Sequence, residues 1–387
     1  MKPYEGVDFL NIDELLSDSE KQVRQSVRRF VNEKFMPVVA KNYQAGTFPM
    51  NLVSEMAEMG LLGCNLEGYG CAGMSSLEYG LIMMELERGD SGLRSFASVQ
   101  TSLCMYPIHT FGTEALKEKY LPGMAQGKII GCFGLTEPDF GSNPSGMLTT
   151  AVKKNGKYVL NGTKRWITNG SIADIAIVWA KLDGEIQGFL VPTKTKGFIA
   201  RDIPGKLSLR CSVTSEFILE NCEISEDHIL PSAKTLKAAL MCLSSARFGI
   251  AWGALGAAQA CYDEALNYAK EREMFGGPIA GKQLVQAKLV WMVTEITKGQ
   301  LLAMRLAQLK DQGKIRPHQI SMGKMNNCGL ALDIARVARD ILGANGVSDE
   351  YQCMRHSCNL ESVNTYEGTF DIHKLIIGQQ ITGLSAF

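Results

Sequence analysis

The distribution of apolar and polar residues divides the chain into three stretches, of which the first is predicted to be helical. Between residues 11 and 128 apolar side chains recur three and four positions apart, as Val23 and Val27 do, and this spacing indicates amphipathic helices. A Ser or Asp at positions 17–19 is suited to cap the first helix, and Pro37 is expected to interrupt it.

The middle stretch, residues 131–229, is rich in Val, Ile, Thr and aromatic residues, which favour strands. Residues 176–182 and 186–191 are therefore predicted to be strands of an antiparallel unit. Four dipeptides in this stretch supply the positive φ angles of tight hairpin turns. They are Asn155-Gly156, Asn161-Gly162, Asn169-Gly170 and Asp183-Gly184.

After Pro231 the helical spacing returns in four long segments. These segments are residues 236–272, 281–312, 317–342 and 371–383. Helices followed by a sheet and then by further helices predict an α+β fold, and no internal repeat is visible.

Composition is typical of a soluble globular protein. Of the 387 residues 45% are apolar and 21% are charged, which argues against a mainly disordered chain. The 40 basic residues balance the 40 acidic ones without a long basic run, so we expect no binding to nucleic acid. The longest apolar run, residues 248–260, is too short for a bilayer and indicates a buried helix, so no stable membrane insertion is expected.

The N-terminal residues and the cysteines bear on the compartment. The first twenty residues are acidic and lack the pattern of a secretory or organellar signal, so a cytoplasmic location is expected, unless processing preceded the first residue. The 11 cysteines include no C-x-x-C pair, which favours a reducing compartment without disulfides. Cys353, His356 and Cys358 match no zinc spacing and are expected on a helix, and no metal is predicted.

Residues 68–73 read Gly-Tyr-Gly-Cys-Ala-Gly and fit the G-x-G-x-x-G pattern of dinucleotide-binding proteins. That pattern binds a pyrophosphate only between a strand and a helix. The preceding residues 56–65 are rich in Met, Leu and Gly, so we interpret the motif as a loop between helices. A dinucleotide-dependent enzyme is the weaker alternative.

Two motifs in the middle stretch could hold a planar cofactor. Residues 133–142 (FGLTEPDFGS) combine Gly, hydroxyls and a Pro-restrained turn that could present backbone N–H groups to an anion or a heterocycle, or could be a structural turn. In residues 165–170 (RWITNG), Trp166 and Thr168 are two apart on a strand and face the same side. An indole beside a hydroxyl suits a planar cofactor, although from this motif alone a Trp that fills a domain junction is the simpler explanation.

A third motif, residues 364–369 (NTYEGT), places Glu367 between an aromatic residue and a glycine just before a helix. A carboxylate in a partly desolvated cleft has a raised pKa that suits proton abstraction. The alternative is a first-turn Glu that caps the following helix.

The three motifs, in this order, resemble the acyl-CoA dehydrogenase family from about Ser17 to Phe387. Within the family, four segments are most similar to the glutaryl-CoA dehydrogenases. They are residues 87–95, 98–100, 246–253 and 364–369.

The resemblance implies an N-terminal helical domain (1–129), a middle antiparallel β domain (130–230) and a C-terminal four-helix bundle domain (231–387). It implies FAD between the β domain and the bundle, a homotetramer built as a dimer of dimers, an acyl-CoA substrate, namely glutaryl-CoA, and an electron-transferring flavoprotein as electron acceptor. Glu367 would be the base that removes the α-proton, and hydride would pass from the β-carbon to the flavin.

The resemblance also implies the binding residues. Those for FAD are Phe133, Leu135, Thr136, Gly141, Ser142, Trp166, Ile167, Thr168, Thr369 and Phe387, with Arg272, Phe275, Gln283, Asp340, Leu342, Gly343 and Ala344 toward a neighbouring subunit's FAD. Those for substrate are Glu87, Arg94, Ser95, Ser98, Ser142, Leu243, Arg247, Tyr366 and Gly368.

Arg94 bears most on substrate choice. A guanidinium at the end of a fatty acyl tail would be costly unless it met an anion, and Arg binds carboxylates bidentately. Family position places Arg94 and Ser98 at the distal carboxylate of glutaryl-CoA, with Glu87 supporting Arg94. From the residues alone, an Arg in a surface ion pair with Glu87 or Asp90 is the simpler interpretation.

The sequence departs from the family at Asn143, Ala344 and Phe370, and Phe370 bears on the fine handling of substrate. Tyr366 resembles the decarboxylating glutaryl-CoA dehydrogenases, since the non-decarboxylating kind carries Val there. We therefore expect crotonyl-CoA and CO2 as products. The alternatives are release of glutaconyl-CoA, another dicarboxylyl-CoA as substrate, or a flavoprotein without activity.

Overall fold

The first stretch folds into helices, as its apolar spacing predicts. The computed structural model describes residues 4–386. Ser17 caps the first helix through a capping box with Glu20, and a π-helical turn, Val31–Phe35, separates that helix from the next, whose first turn contains Pro37. The helices are α1 (Asp18–Phe30), α2 (Met36–Ala45), α3 (Val53–Glu58), α4 (Ser76–Gly89), α5 (Ser91–Ser98), α6 (Tyr106–Phe111) and α7 (Glu114–Ala125).

The glycine-rich segment 68–73 connects α3 to α4. Gly68, Gly70 and Gly73 all have positive φ, and no strand precedes Gly131 in the described part of the chain. The segment is therefore a loop between helices, and the strand that a dinucleotide site requires is missing there.

The middle stretch forms one eight-stranded sheet. The strands are β1 (Gly131–Gly134), β2 (Thr150–Lys154), β3 (Lys157–Thr168), β4 (Ile175–Leu182), β5 (Glu185–Pro192), β6 (Phe198–Asp202), β7 (Thr214–Ser225) and β8 (Ile229–Lys234). The order is β6-β7-β3-β2-β4-β5-β8, and β1 and β2 share one edge of β4. Most pairings are antiparallel, but both β1 and β2 run parallel to β4, so the sheet is mixed and the expectation of a purely antiparallel domain is corrected. The predicted boundary at 230 falls inside β8.

Two of the four predicted hairpin turns are confirmed and two are wrong. Asn155-Gly156 joins β2 to β3 and Asp183-Gly184 joins β4 to β5, all with positive φ. Asn161-Gly162 lies inside β3, at a shift of register against β7. The glycine is needed there because a Cβ would lie 2.4 Å from Thr149 Oγ1. Asn169-Gly170 ends β3 and leads into a loop instead of a paired strand.

The last stretch is again helical, and all four predicted segments are confirmed. The helices are α8 (Thr235–Glu271), α9 (Gln283–Asp311), α10 (Pro317–Ile341), α11 (Cys353–Thr365) and α12 (Phe370–Thr382). Helix α8 packs against α4, α9 and α10, and α10 also contacts α11 and α12. Cys353, His356 and Cys358 lie on α11 as expected, and the cysteines of the described chain are free.

The apolar part of helix α8 is longer than the sequence analysis allowed. It is the one helix of the described residues that is long and apolar enough to cross a membrane, which corrects the expectation that none would be. However, 78% of its most apolar window is buried inside the protein, where it forms the centre of the helical bundle. The α+β fold of helices, sheet and helices is thus confirmed.

Close packing of α4 on α8 depends on glycine. A Cβ on Gly256 would lie 1.8 Å from the carbonyl oxygen of Met84 and 2.9 Å from the nitrogen of Arg88. No side chain can occupy that space unless the two helices separate.

We predict that Gly256→Ala lowers the free energy of unfolding by about 1–3 kcal/mol, because the added methyl group overpacks the contact between α4 and α8. The matched control is Gly378→Ala in α12, where a Cβ meets no atom within 4 Å. Ala should leave stability unchanged or raised there, since it is the better helix former. Thermal unfolding followed by circular dichroism compares the two variants, and equal midpoints would contradict the prediction.

Candidate active site

The loop between α11 and α12 presents Glu367. Helix α11 ends at Thr365, and Thr369 caps α12 by accepting a hydrogen bond from the Ile372 nitrogen at 3.1 Å. Glu367 therefore precedes the capping residue, and the alternative that it caps the helix is wrong. Its φ of 53° lies in the left-handed region, which costs a non-glycine residue about 1–2 kcal/mol and is often found at functional sites.

Two cationic side chains hold this loop by its carbonyl groups. Arg247 on α8 donates from Nε to the backbone carbonyl oxygen of Glu367 at 2.6 Å. Lys324 on α10 donates from Nζ to the oxygens of Tyr366 and Gly368, each at 2.8 Å. Three consecutive carbonyls are thus fixed from two helices of the bundle. Sequence analysis missed Lys324, because nothing in the helical spacing of α10 marks a buried lysine.

The Glu367 carboxyl group lies in a partly desolvated site. Its Oε2 is buried and has no hydrogen-bond partner among the described residues. Burial raises the pKa of this carboxyl, while Arg94, Arg247 and Lys324 oppose the shift, and the net direction is upward. A carboxyl group with a raised pKa and an unused oxygen is suited to accept a proton from a bound molecule.

Arg94 lies fully buried beside the same loop. Its Nε donates to Glu87 Oε2 at 2.6 Å, and Ser91 Oγ donates to the other Glu87 oxygen at 2.8 Å. A second guanidinium nitrogen of Arg94 contacts the Tyr366 hydroxyl. Arg94 and Glu87 are only 1% and 0% exposed, so the surface ion pair considered from the sequence is wrong. Asp90 instead pairs with Arg355, at 2.6 Å.

The remaining predicted substrate-binding residues near Glu367 lie on the helices of Arg94 and Arg247 and in the Glu367 loop. Ser95 Oγ and Ser98 Oγ are buried, and neither has a hydrogen-bond partner in the described chain. Such hydroxyls fit a polar ligand. Leu243, buried on α8, lies one helical turn before Arg247, while a Cβ on Gly368 would lie 3.2 Å from an Arg247 nitrogen.

The two motifs of the middle stretch lie side by side. The Arg165 nitrogen donates to the Thr136 oxygen at 3.0 Å. Trp166 has a φ of 62° at a shift of register in β3 and is 56% exposed, so it does not fill a domain junction. Thr168, two residues further on, is half-buried and Ile167 between them is buried. An exposed indole beside hydroxyl groups fits the planar ring of a flavin.

A buried ion pair supports the first motif, and the sequence analysis missed it. Lys164 Nζ lies 2.9 Å from Glu137 Oε1 and 3.1 Å from the Leu135 oxygen. The Glu137 carboxylate also accepts hydrogen bonds from Thr149 Oγ1 and from the nitrogens of Leu148 and Thr149. The spacing of residues along the sequence could not predict that Lys164 on β3 pairs with Glu137. Of the remaining candidates here, Phe133 and Leu135 are buried, and Gly141 and Ser142 are exposed.

The residues expected near a neighbouring subunit's FAD lie apart from Glu367. Arg272 and Phe275 lie in the loop after α8, where Phe275 is 91% exposed, and Gln283 begins α9. Asp340 forms an ion pair with Lys288 near the end of α10. The segment that follows consists of Leu342, which is buried, and of Gly343 and Ala344, which are exposed. Their role toward FAD stays a prediction, and Phe387 lies outside the described residues.

Within residues 4–386 no group of three or more His, Cys, Asp or Glu residues could hold a metal ion.

Three models of the acyl-CoA dehydrogenase family match the chain: the N-terminal domain at residues 17–128, the middle domain at 132–222 and the C-terminal domain at 236–382. The human mitochondrial short-chain specific acyl-CoA dehydrogenase is 36% identical, over 94% of this chain and 90% of that protein.

Three solved structures are similar over nearly the whole chain. A glutaryl-CoA dehydrogenase from Mycobacterium smegmatis has a TM-score of 0.98 at 53% identity and covers 99% of this chain and 100% of its own. Another from the same organism, in complex with FADH2, has the same TM-score and coverage at 50% identity. A structure described as an electron transferring flavoprotein of Acidaminococcus fermentans has a TM-score of 0.91 at 33% identity, over 97% of this chain and 99% of that one. The chain therefore belongs to the acyl-CoA dehydrogenase family and is an FAD-dependent enzyme.

Proposed function

We propose that the enzyme dehydrogenates glutaryl-CoA between its α- and β-carbons and decarboxylates the product to crotonyl-CoA. The observation that carries the proposal is the buried Arg94. It contacts the hydroxyl of Tyr366, the residue immediately before Glu367 in the same loop. A site for an anionic acyl end thus lies next to a candidate base. The similarity to two glutaryl-CoA dehydrogenases supports the same substrate.

The balance of charge favours a dicarboxylyl substrate. Three cations, Arg94, Arg247 and Lys324, lie near two carboxyl groups, those of Glu87 and Glu367. One positive charge is therefore unbalanced even when both carboxyls are ionised. A terminal carboxylate would balance it, whereas a methyl end would leave the buried charge uncompensated.

Proton removal is assigned to Glu367. The α-hydrogen of a thioester is only weakly acidic, so the base must be held close to it and must have a pKa raised above that of a free carboxyl group. Glu367 has a carboxyl oxygen that is buried and without a partner, and a backbone fixed by Arg247 and Lys324. FAD, when bound, supplies the acceptor for the hydride that leaves the β-carbon.

Tyr366 bears on the second step. Loss of CO2 from glutaconyl-CoA leaves an electron pair that the unsaturated thioester delocalises, and the protonated Glu367 can return its proton to the carbon chain. The carboxylate must first be free to leave. Because Arg94 uses Nε for Glu87 and one terminal nitrogen for Tyr366, less of the guanidinium is left to grip the carboxylate bidentately. This arrangement favours decarboxylation.

We further propose that the electrons leave through an electron-transferring flavoprotein and that the enzyme is a cytoplasmic homotetramer. The similarity to a chain described under that flavoprotein's name supports the acceptor. The exposure of Phe275 and of Leu284, at 91% and 80%, supports contact with further subunits at the ends of α8 and α9.

Glu367→Gln is predicted to abolish bleaching of the flavin by glutaryl-CoA, with a loss of at least about 10³-fold, because the amide cannot accept the proton. In the wild-type enzyme the bleaching rate should fall at acid pH with an apparent pKa above 4.5, the ordinary value, since only the ionised carboxyl is a base. Anaerobic stopped-flow absorbance measures both effects. Bleaching by the variant at the wild-type rate would contradict the assignment.

Arg94→Met is predicted to lower the ratio of kcat/KM for glutaryl-CoA to that for butyryl-CoA by about 10²-fold, which corresponds to the loss of a charge-assisted hydrogen bond in a buried site. Because Met retains much of the side-chain volume, the flavin spectrum should persist and serves as the control. Steady-state assays with both thioesters measure the ratio. An unchanged ratio would place the acyl end elsewhere.

Tyr366→Val is predicted to shift the products from crotonyl-CoA toward glutaconyl-CoA, because the freed guanidinium nitrogen can grip the substrate carboxylate. Tyr366→Phe removes only the hydroxyl and should shift the products in the same direction. Chromatography of the CoA esters after a single turnover measures the partition. Crotonyl-CoA as the sole product of both variants would remove Tyr366 from the choice of product.

A further inference from the structure

Lys324 is an unusual residue for the middle of a core helix. It is 1% exposed on α10, and Ile320 and Cys328, one turn before and one turn after it, are buried as well. Burial lowers the pKa of its ammonium group to about 8. A methionine would fill the same space without loss of hydration, so the lysine needs a compensating interaction.

The compensating interaction is with the backbone of the loop that carries the candidate base. Lys324 Nζ donates to the carbonyl oxygens on both sides of Glu367, those of Tyr366 and Gly368, each at 2.8 Å. These carbonyls belong to an irregular segment between two helices and so lack the partners that helical carbonyls have. The lysine therefore satisfies two buried acceptors that no helix can satisfy.

The geometry of the peptide planes shows what these bonds fix. The carbonyl of Tyr366 lies in the peptide plane before the Glu367 Cα, so its orientation sets φ of Glu367. The carbonyl of Glu367 lies in the plane after that Cα and sets ψ, and Arg247 holds it at 2.6 Å. Lys324 and Arg247 together hold Glu367 at its φ of 53°, which is unfavourable for a residue with a side chain.

We propose that Lys324 is a positioning residue for proton abstraction, which holds the Glu367 carboxyl against the substrate through the flanking carbonyls. The proposal rests on the proposed role of Glu367 as the base. The second effect of Lys324 is electrostatic, because a cation near the Glu367 carboxyl favours the ionised form of that group.

Charged and titratable groups from the surrounding elements face Lys324 and Glu367 and contribute to the pH profile. They are Glu87 on α4, Arg94 on α5, Arg247 on α8, Cys328 on α10, His373 on α12 and Tyr366 in the loop. Burial lowers the pKa of His373 to about 3 and raises the pKa values of Cys328 and Tyr366. Burial also disfavours the charged arginines, but Glu87 outweighs it and raises the pKa of Arg94, and an arginine stays protonated in proteins even where its pKa is lowered, as that of Arg247 is. Glu367 and Lys324 therefore dominate the pH profile.

The test is Lys324→Met in the FAD-loaded enzyme, mixed anaerobically with glutaryl-CoA. We expect the flavin spectrum to persist and the half-saturating concentration of glutaryl-CoA to change by less than about 3-fold. The limiting rate of bleaching should fall by about 10²-fold, as for a reacting group displaced by about 1 Å. The acid limb of the pH–rate profile, where the bleaching rate falls as Glu367 is protonated, should move to higher pH. The reason is that Lys324→Met removes a cation that favours the ionised form of the Glu367 carboxyl.

Two further variants separate positioning from a general effect on folding. Lys324→Arg keeps the charge, so the acid limb should stay near that of the wild type and the rate should recover to within about 10-fold. Lys310→Met removes a lysine that lies on α9 against Phe248 and Ser76, away from the loop, and it should bleach at the wild-type rate. If Lys324→Met does not fold, the position of the acid limb in Lys324→Arg and the stability of that variant decide the question.

A Lys324→Met enzyme that bleaches within about 3-fold of the wild-type rate, with an unmoved acid limb, would overturn the proposal. The proposal would also be overturned if Lys324→Arg folds but the acid limb of its pH–rate profile moves as far as that of Lys324→Met. Failure of the underlying function looks different, since Glu367→Gln would then bleach normally with glutaryl-CoA. If Glu367→Gln is inert while Lys324→Met is unaffected, only the role of Lys324 falls.

Discussion

The site depends on buried cations that meet oxygen atoms of one short loop. Lys324 and Arg247 hold three consecutive carbonyls of residues 366–368, and Arg94 contacts the Tyr366 hydroxyl of the same loop. Without them the left-handed backbone of Glu367 would relax, and the buried carbonyls would lose their partners. The three cations come from three different helices, so the loop also joins the N-terminal helices to the bundle.

Close packing of α4 on α8 places Glu87, the partner of Arg94, against α8. Glycines at 249, 253 and 256 line the face of α8 toward α4, and a Cβ on Gly253 would lie 2.1 Å from Glu87 Oε2. The absence of side chains there leaves room for the ion pair of Glu87 with Arg94 between the helices. Small residues in a helix contact therefore decide where a charged pair can be buried.

Most of the fold could be predicted from the sequence, because helix spacing, caps and strand composition are local signals. The long helices and the Ser17 cap follow from such signals alone. Gly162 was misread as a turn because its constraint is contact with Thr149, which depends on the pairing of strands. Lys324 and the pair of Glu137 with Lys164 were missed for the same reason, since a buried charge is recognised only by partners that are distant in sequence. The motif of residues 364–369 alone made Glu367 a candidate base, with a helix cap as the alternative, whereas Arg94 became a substrate-binding candidate only through the resemblance to the family.

We propose that the buried cations form a site for a dicarboxylyl-CoA whose carboxylate is then lost. The most direct measurement is an anaerobic single turnover of the purified enzyme with glutaryl-CoA and, separately, with butyryl-CoA, with the flavin absorbance and the CoA products followed together. We predict fast bleaching by glutaryl-CoA with one crotonyl-CoA and one CO2 per flavin, and much slower bleaching by butyryl-CoA. Faster bleaching by butyryl-CoA, or glutaconyl-CoA without CO2, would contradict this account.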